Sequence, residues 1–355
     1  MLLPNKKIII INGEILLLEK VAQGVSSLSE GDGSIKAKVN RFLAEWADKW
    51  PTLRLQTSGS TGKPKEIFVA KSNMVASAMM TGRLFNLKEN HTALLCLSPD
   101  FVAGKMMIVR AIELKLNLII SKDFGYPLDG VNQMVNFAAM VPLQVSNMLK
   151  KDPKQLQKIQ KLIIGGSSIS SALESQLQGV KTNCWHTYAM TETLSHVALR
   201  KINGPGRSEW FKPLPGVLIE LDDRGCIVIE APKLAPEKVV TNDIAILKGN
   251  KFKILGRYDE AIISAGNKLH PALIERKLEQ VLSVPFFIGA EDNPLAGQNP
   301  VLYIQAKADD FDLDYLGKQF GSLLEKAEIP RKVIFKPEFH YLESGKIDKA
   351  KTKAS

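Results

Sequence analysis

The chain has 355 residues, 45% of them hydrophobic, enough to bury full cores in two domains or in one large and one small. No apolar run approaches the ~20 residues of a membrane span, and Cys96, Cys184 and Cys226 have neither metal-ligand nor disulfide spacing, which predicts buried thiols in a cytoplasmic protein. The formal net charge of +10 predicts anionic partners. Dispersed lysines without an aromatic–basic platform argue against nucleic acid. Small anionic ligands remain, or plain solubility helped by a basic tail (Lys346, Lys349, Lys351, Lys353).

Residues 7–19 alternate around Asn12-Gly13, a tight hairpin turn that also ends the first apolar run too early for a signal peptide. A Gly- and Ser-rich loop at 24–34 precedes an amphipathic helix with Ile35, Val39, Phe42, Leu43 and Trp46 at helical spacing. Strand-like Leu53-Arg54-Leu55 and Ile67-Phe68-Val69 flank Thr57-Ser58-Gly59-Ser60-Thr61-Gly62-Lys63-Pro64-Lys65. This segment suits a polyphosphate. Glycines let backbone N–H groups approach anionic oxygens, hydroxyls donate, and lysines add charge. It lacks Walker A spacing, and Pro64 stands where that motif's helix begins. A soluble hairpin loop is the other reading of it.

Ser72 is the expected N-cap of a helix reaching Phe85. Strands at 93–97, 116–121 and 161–164 alternate with helices at 104–114 and 133–150, the latter interrupted by Pro142. That alternation predicts a parallel α/β sheet. From Gly204 the texture changes to β segments at 217–221, 226–230 and 244–255. Beyond Asp259 a compact α+β unit is expected, with a helix opened by Pro271 that carries Leu273, Leu278 and Leu282, and a second helix at 313–325.

Chemistry-bearing residues cluster at six places. After the Thr57–Lys65 segment comes Tyr188-Ala189-Met190-Thr191-Glu192-Thr193, where one carboxylate between threonines suits Mg²⁺ beside phosphates, or simply caps a helix. Gly165-Gly166-Ser167 allows a flat base to approach the backbone. Asp243, with Gly256-Arg257-Tyr258-Asp259, offers an acid and a base for a ribose diol and a phosphate, or a surface ion pair. Ser264-Ala265-Gly266-Asn267 forms a mobile-looking loop ahead of the Pro271 helix. Lys346 follows a glycine turn near the C-terminus; on general grounds such a lysine is solvated.

Taken together and in this order, these segments resemble the adenylate-forming superfamily of acyl- and aryl-CoA synthetases, luciferases and peptide-synthetase adenylation domains. The resemblance runs from about Arg54 to Lys349. Thr57–Lys65 resembles the phosphate loop, Tyr188–Thr193 the Tyr-Gly-x-Thr-Glu segment, Thr241-Asn242-Asp243 the Thr-Gly-Asp segment, and Gly256–Asp259 the Gly-Arg-x-Asp hinge. Gly345-Lys346-Ile347 resembles the segment with the catalytic lysine. Glu66, Ala189, Asn242 and Ala265 stand where the family usually has glycine, and no charged functional group is lost.

The resemblance implies an α/β fold: a large domain over 1–258, of β-sheets flanked by helices plus a β-rich subdomain, and a small mobile α+β domain over 259–355. Only 56 residues precede the phosphate loop, so a reduced N-terminal region and a smaller or differently walled acyl pocket are expected. It implies ATP and CoA as co-substrates and Mg²⁺ as cofactor. Thr57, Ser58, Gly59, Ser60, Thr61, Gly62 and Lys65 would cradle the β/γ-phosphates, and Gly165, Gly166, Ser167 and Tyr188 would border the nucleotide. Thr191 and Glu192 would be catalytic, with Glu192 on the metal; Asp243 and Arg257 would hold ribose and phosphate. Lys346 would neutralise charge during adenylation, Asp259 would be the hinge, and Ser264, Ala265, Gly266 and Asn267 would line the CoA channel.

The resemblance places the acyl pocket at residues 97–110, Leu-Ser-Pro-Asp-Phe-Val-Ala-Gly-Lys-Met-Met-Ile-Val-Arg, with Gly104, Lys105, Ala189 and His196 as candidate lining. This compact chain, with Ala-Gly-Lys-Met-Met and Thr-Glu-Thr-Leu-Ser-His, resembles the compact o-succinylbenzoate–CoA ligases of menaquinone synthesis. Their substrate is an aromatic dicarboxylate. Lys105 is the favoured anchor of the second carboxylate and His196 a pocket wall. Arg110 alternatively reads as lying on the structural side of its helix, Lys105 and Arg110 together as a solvated helix face, and His196 as a satisfied core histidine. Asp100 leaves an amino-acid substrate, and hence a carrier-protein adenylation enzyme, open as an alternative; a nucleotide-binding regulator without turnover is the other. A homo-oligomer is left open.

Overall fold

The computed structural model describes residues 8–25, 34–56, 66–342 and 347–355. The chain divides into two compact units, one made of Met1–Gly166, Gln176–Leu218 and Ile229–Val239, the other of Ser167–Ser175, Ile219–Val228 and Val240–Ser355.

The first unit opens with β1 (Ile8–Ile11) and β2 (Glu14–Leu17), joined by Asn12-Gly13 at φ 51° and 87°. Positive φ at both central residues is the twist-matching type I′ hairpin turn. After α1 (Leu18–Val25), Ser34 caps α2 (Ile35–Ala47) by accepting the Ala37 N–H at 3.2 Å. The buried face of α2 is Ala37, Val39, Phe42, Leu43 and Trp46. Next, β3 (Thr52–Gln56) and β4 (Glu66–Ala70) pair antiparallel, ending at Gln56 opposite Glu66. The chain continues through α3 (Lys71–Leu84), β5 (Thr92–Leu95), α4 (Val102–Glu113), β6 (Asn117–Ile120), β7 (Val135–Met140) and α5 (Pro142–Lys151). It then runs through β8 (Ile159–Ile164), α6 (Ser171–Leu177, most of which belongs to the second unit), β9 (Asn183–Ala189), β10 (His196–Lys201) and β11 (Lys212–Pro213).

The described strands form a nine-stranded sheet in the order β11-β10-β9-β8-β7-β5-β6-β1-β2. Its six inner strands, from β9 to β1, are mutually parallel, with antiparallel strands at both edges. Parallel strands are covered on both faces and read as near-continuous apolar runs. That is why 133–150, expected to be helical, is instead strand β7 followed by α5. Val135, Phe137, Ala138, Ala139 and Met140 are buried, and Pro142 opens the helix where its missing N–H is not needed. Ser72 is not a cap either: α3 begins at Lys71, with Ala70 in the cap position and no side-chain cap bond.

Most of the four-stranded sheet β12 (Leu218–Leu221), β13 (Cys226–Glu230), β14 (Val239–Lys248) and β15 (Lys251–Arg257) lies in the second unit, with the strands in that order. Beyond it come β16 (Ile262–Ser264), β17 (Asn267–Leu269), α7 (Pro271–Leu278), β18 (Phe286–Asn293), β19 (Gly297–Gln305), α8 (Leu313–Leu323), β20 (Lys332–Lys336) and α9 (Lys349–Ala354). The core here is formed by Ile262, Ile274 and Leu278 with Ile288, Leu302 and Ile304, and by Leu316 and Phe320 of α8. The basic tail does more than solubilise. Thr352 is fully buried and accepts the His340 N–H at 3.0 Å, and Lys349 Nζ lies 3.3 Å from Glu260 and 3.5 Å from Glu275. Among the described residues no helix is long and apolar enough to cross a membrane.

Candidate active site

In the first unit β9 delivers a tightly tied turn. Tyr188 is buried with its ring 6.2 Å from Phe211, and Ala189 at the strand end is exposed. Beyond it, Leu194 N–H donates to the Thr191 carbonyl at 3.0 Å and Ser195 N–H to the Thr193 carbonyl at 2.7 Å. The Thr193 hydroxyl lies 3.3 Å from the Met190 carbonyl and 3.0 Å from that of Ser195. Leu194 has φ of 66°, a left-handed conformation that a branched residue adopts only under constraint. With Thr193 and Leu194 buried beneath it, the turn leaves Thr191 half-buried and Glu192 exposed.

Behind this turn lies a buried polar chain. Arg110, on the last turn of α4, is 2% exposed and donates from Nη2 to Ser195 Oγ at 2.6 Å. Its Nε has no partner, and among the described residues no carboxylate pairs with it. Burial lowers its pKa to about 10. Beside it, His196 is also buried, with Nδ1 3.2 Å from Ser195 Oγ and Nε2 3.4 Å from Thr81 Oγ1. Burial, and next the Arg110 charge, lower its pKa to about 3, so the ring is neutral. Arg110 therefore does not lie on a solvated face.

Lys105 is differently placed. Its Nζ is 3.3 Å from Glu45 and 5.2 Å from the centroid of the Phe42 ring. Gly104 is required by packing, since a Cβ there would sit 2.2 Å from the Ser98 carbonyl oxygen. Asp100 is engaged by Lys38 and by the Ser98 hydroxyl. Partial burial alone would raise its pKa, but these partners outweigh it and hold the carboxyl below its usual range.

Gly165 directly follows β8, and a Cβ on it would meet Thr187 Oγ1 at 2.2 Å; Gly166 has φ of 90°. Ser167, half-buried, lies with its hydroxyl 3.4 Å from the Ser168 carbonyl.

In the second unit, cross-strand partners Asp243 and Arg257 approach at 3.4 Å. Arg257 grips Asp259 with two bonds, Nε–Oδ1 at 2.9 Å and Nη2–Oδ2 at 2.6 Å, and the Asn242 amide donates to Asp259 at 3.3 Å. Asp259 raises the pKa of Arg257. Burial would push Asp259 up, but Arg257 and Asn242 hold it below the usual carboxylate range. The segment expected as a mobile loop, Ser264–Asn267, is a two-residue hairpin. Ser264 pairs with Asn267, and Ala265 and Gly266 have φ of 47° and 81°. Residues 57–65 and Lys346 lie outside the described residues.

The mixed α/β architecture, with its large mostly parallel sheet, is that of an adenylate-forming enzyme. The family model of AMP-binding enzymes matches residues 24–230, and the chain belongs to that family. It is 32% identical to the acyl-CoA synthetase (AMP-forming)/AMP-acid ligase II-like protein of Dyadobacter fermentans DSM 18053, over 93% of this chain and 97% of that one, with a TM-score of 0.61. It is 25% identical to the 2-succinylbenzoate–CoA ligase of Listeria monocytogenes serovar 1/2a (strain ATCC BAA-679 / EGD-e), over 94% of this chain and 76% of that protein. The o-succinylbenzoate CoA synthetase of Bacillus subtilis, solved with its acyl-adenylate intermediate, shares the fold at a TM-score of 0.79, covering 99% of this chain and 96% of that one at 15% identity.

Proposed function

We propose that the protein is an AMP-forming acid–CoA ligase that activates o-succinylbenzoate, a step of menaquinone synthesis in the cytoplasm. The observation that carries this reading is similarity to a 2-succinylbenzoate–CoA ligase along 94% of the chain. In the first half-reaction a carboxylate oxygen of the substrate attacks the α-phosphorus of ATP, and the bond to pyrophosphate breaks. In the second, the CoA thiolate attacks the acyl carbonyl and AMP leaves. Lys346 neutralises charge on the carboxylate and α-phosphate. The Thr57–Lys65 segment binds the β/γ-phosphates, Gly165, Gly166, Ser167 and Tyr188 border the nucleotide, and Asp243 and Arg257 take the ribose and a phosphate. Asp259 is the pivot between residues 1–258 and 259–355, and the Ser264–Asn267 hairpin borders the thiol.

A lone exposed Glu192 next to Thr191 fits Mg²⁺, which takes one or two protein carboxylates and completes its shell with phosphate oxygens and water. When bound, the ion neutralises phosphate charge.

We assign the second substrate carboxylate to Arg110 and the wall beside it to His196. A buried guanidinium without an anion is costly, and an aromatic carboxylate supplies that anion. Lys105 is the competing anchor, but its ammonium already has Glu45. Asp100, paired with Lys38, is not offered to a substrate ammonium, which weighs against amino-acid activation.

The test is AMP and acyl-CoA formation with Mg-ATP and CoA, comparing o-succinylbenzoate with benzoate, succinate, medium-chain fatty acids and amino acids. Turnover confined to o-succinylbenzoate is expected; turnover with another acid instead overturns the substrate assignment. Arg110→Met should raise KM for o-succinylbenzoate by ten-fold or more, while Lys105→Ala should change it less than three-fold. The reverse pattern would move the anchor to Lys105.

A further inference from the structure

The strongest unassigned group is Arg224, in the turn between β13 and its predecessor β12, and it makes a connected set of bonds. Asp222 holds its guanidinium, at 2.9 Å to Nε and 2.7 Å to Nη2. The same carboxylate accepts the Arg224 and Cys226 backbone N–H groups, each at 2.9 Å, so the anchor is itself fixed by the turn. From there Nη2 donates to the Thr241 carbonyl at 3.0 Å and Nη1 to the Asn242 side-chain oxygen at 3.1 Å. The guanidinium also lies 5.2 Å from the Tyr258 ring centroid.

Those contacts fall on the segment that presents Asp243. The β14–β15 register begins at Asp243 opposite Arg257, so Thr241 and Asn242 lie beyond that ladder. Backbone groups there need another partner, and Arg224 supplies one. Asn242, held on its oxygen by Arg224, donates from its nitrogen to Asp259. Thr241 Oγ1 accepts the Asp243 N–H at 3.0 Å. A planar guanidinium serves both acceptors at once; a lysine ammonium does not reproduce that fork.

We infer that Arg224 is a positioning residue that sets the Thr241–Asp243 segment for the ribose of ATP. The inference rests on the ribose role proposed for Asp243. Displacing that carboxylate by a fraction of an ångström weakens binding of the ribose hydroxyls while the reacting groups are untouched.

The experiment compares ATP and 2′-deoxy-ATP on wild type, Arg224→Gln and Arg224→Lys. Equilibrium binding is read by calorimetry without acyl substrate or thiol, and KM and kcat in the ligase assay. Arg224→Gln should weaken ATP binding and raise KM for ATP by ten-fold or more, change kcat less than three-fold, and narrow the preference for ATP over 2′-deoxy-ATP. Arg224→Lys should recover less than half of that preference. If Arg224→Gln keeps the wild-type preference, whatever its melting temperature, the inference is overturned while the ribose role of Asp243 stands. A wild type indifferent to the 2′-hydroxyl removes the ribose role and the inference with it.

Discussion

Hydrogen-bond direction along the buried chain behind the Glu192 turn is set by its far end. The Thr81 hydroxyl donates to the Ser77 carbonyl at 3.0 Å, so its oxygen accepts from His196 Nε2–H. That leaves Nδ1 as the acceptor for the Ser195 hydroxyl, whose oxygen takes the Arg110 N–H. Only a neutral imidazole fits, in agreement with a pKa lowered to about 3 by burial and the Arg110 charge. The sign follows from proton uptake: between about pH 6.5 and 3 the unfolded chain binds a proton at His196 that the folded one does not. His196 therefore contributes stability that is fully present above pH 6.5 and is lost as pH falls toward 3. Unfolding titrations of His196→Asn should show a shallower loss across this window, by up to about 1.4 kcal/mol per pH unit. Parallel profiles for variant and wild type would mean that His196 titrates normally in the fold.

At the scale of elements, α4 depends on a close approach at Gly104. Replacing a helical glycine by alanine ordinarily stabilises by about 0.5–1 kcal/mol. Here the new Cβ would lie 2.2 Å from the Ser98 oxygen and 2.5 Å from the Leu97 oxygen, both backbone atoms that cannot swing aside. Overpacking costs typically about 1–3 kcal/mol, so the net sign is destabilising. Gly104→Ala should lower the denaturant midpoint; a higher midpoint would show that the helix start is free to shift. The β16–β17 hairpin makes a related point. Its Ala265-Gly266 turn is set by two positive φ values, so a segment that reads as a mobile loop is held in one geometry.

For the whole molecule, the proposed chemistry divides between two half-reactions that use different residues. Lys346→Ala should abolish adenylate formation while leaving thioester formation from preformed adenylate far less affected. Single-turnover measurement of each step decides it, and equal loss in both would remove the assigned role. Around the proposed pivot each residue of Tyr258–Glu260 has a charged neighbour: Lys268 lies 3.8 Å from the Tyr258 ring centroid, Arg257 grips Asp259, and Lys349 pairs with Glu260. Such a turn stores its conformation in a few polar contacts, which exchange at little cost compared with a packed core.

The order of motifs, the alternation that builds a parallel sheet, the Asn12-Gly13 hairpin and the buried face of α2 are written in local patterns and were legible in the chain. Each depends on residues a few positions apart, where spacing and backbone preference act directly. Segment 133–150 departs from the helix its sequence suggests because a short apolar run has the same composition whether it becomes a buried strand or a helix, and only its neighbours β5 and β8 decide. The surroundings of the two candidate cations of α4 were likewise a tertiary matter. Lys105 and Arg110 lie five positions apart on one helix, yet one meets Glu45 and the other is buried. Arg224 gave only an Asp-Asp-Arg-Gly turn signal, because its partners at 241 and 242 come to it through sheet pairing. Sequence by itself determined the superfamily and the residue types for its chemistry; folding decided which charges lose their water, since that depends on distant chain segments.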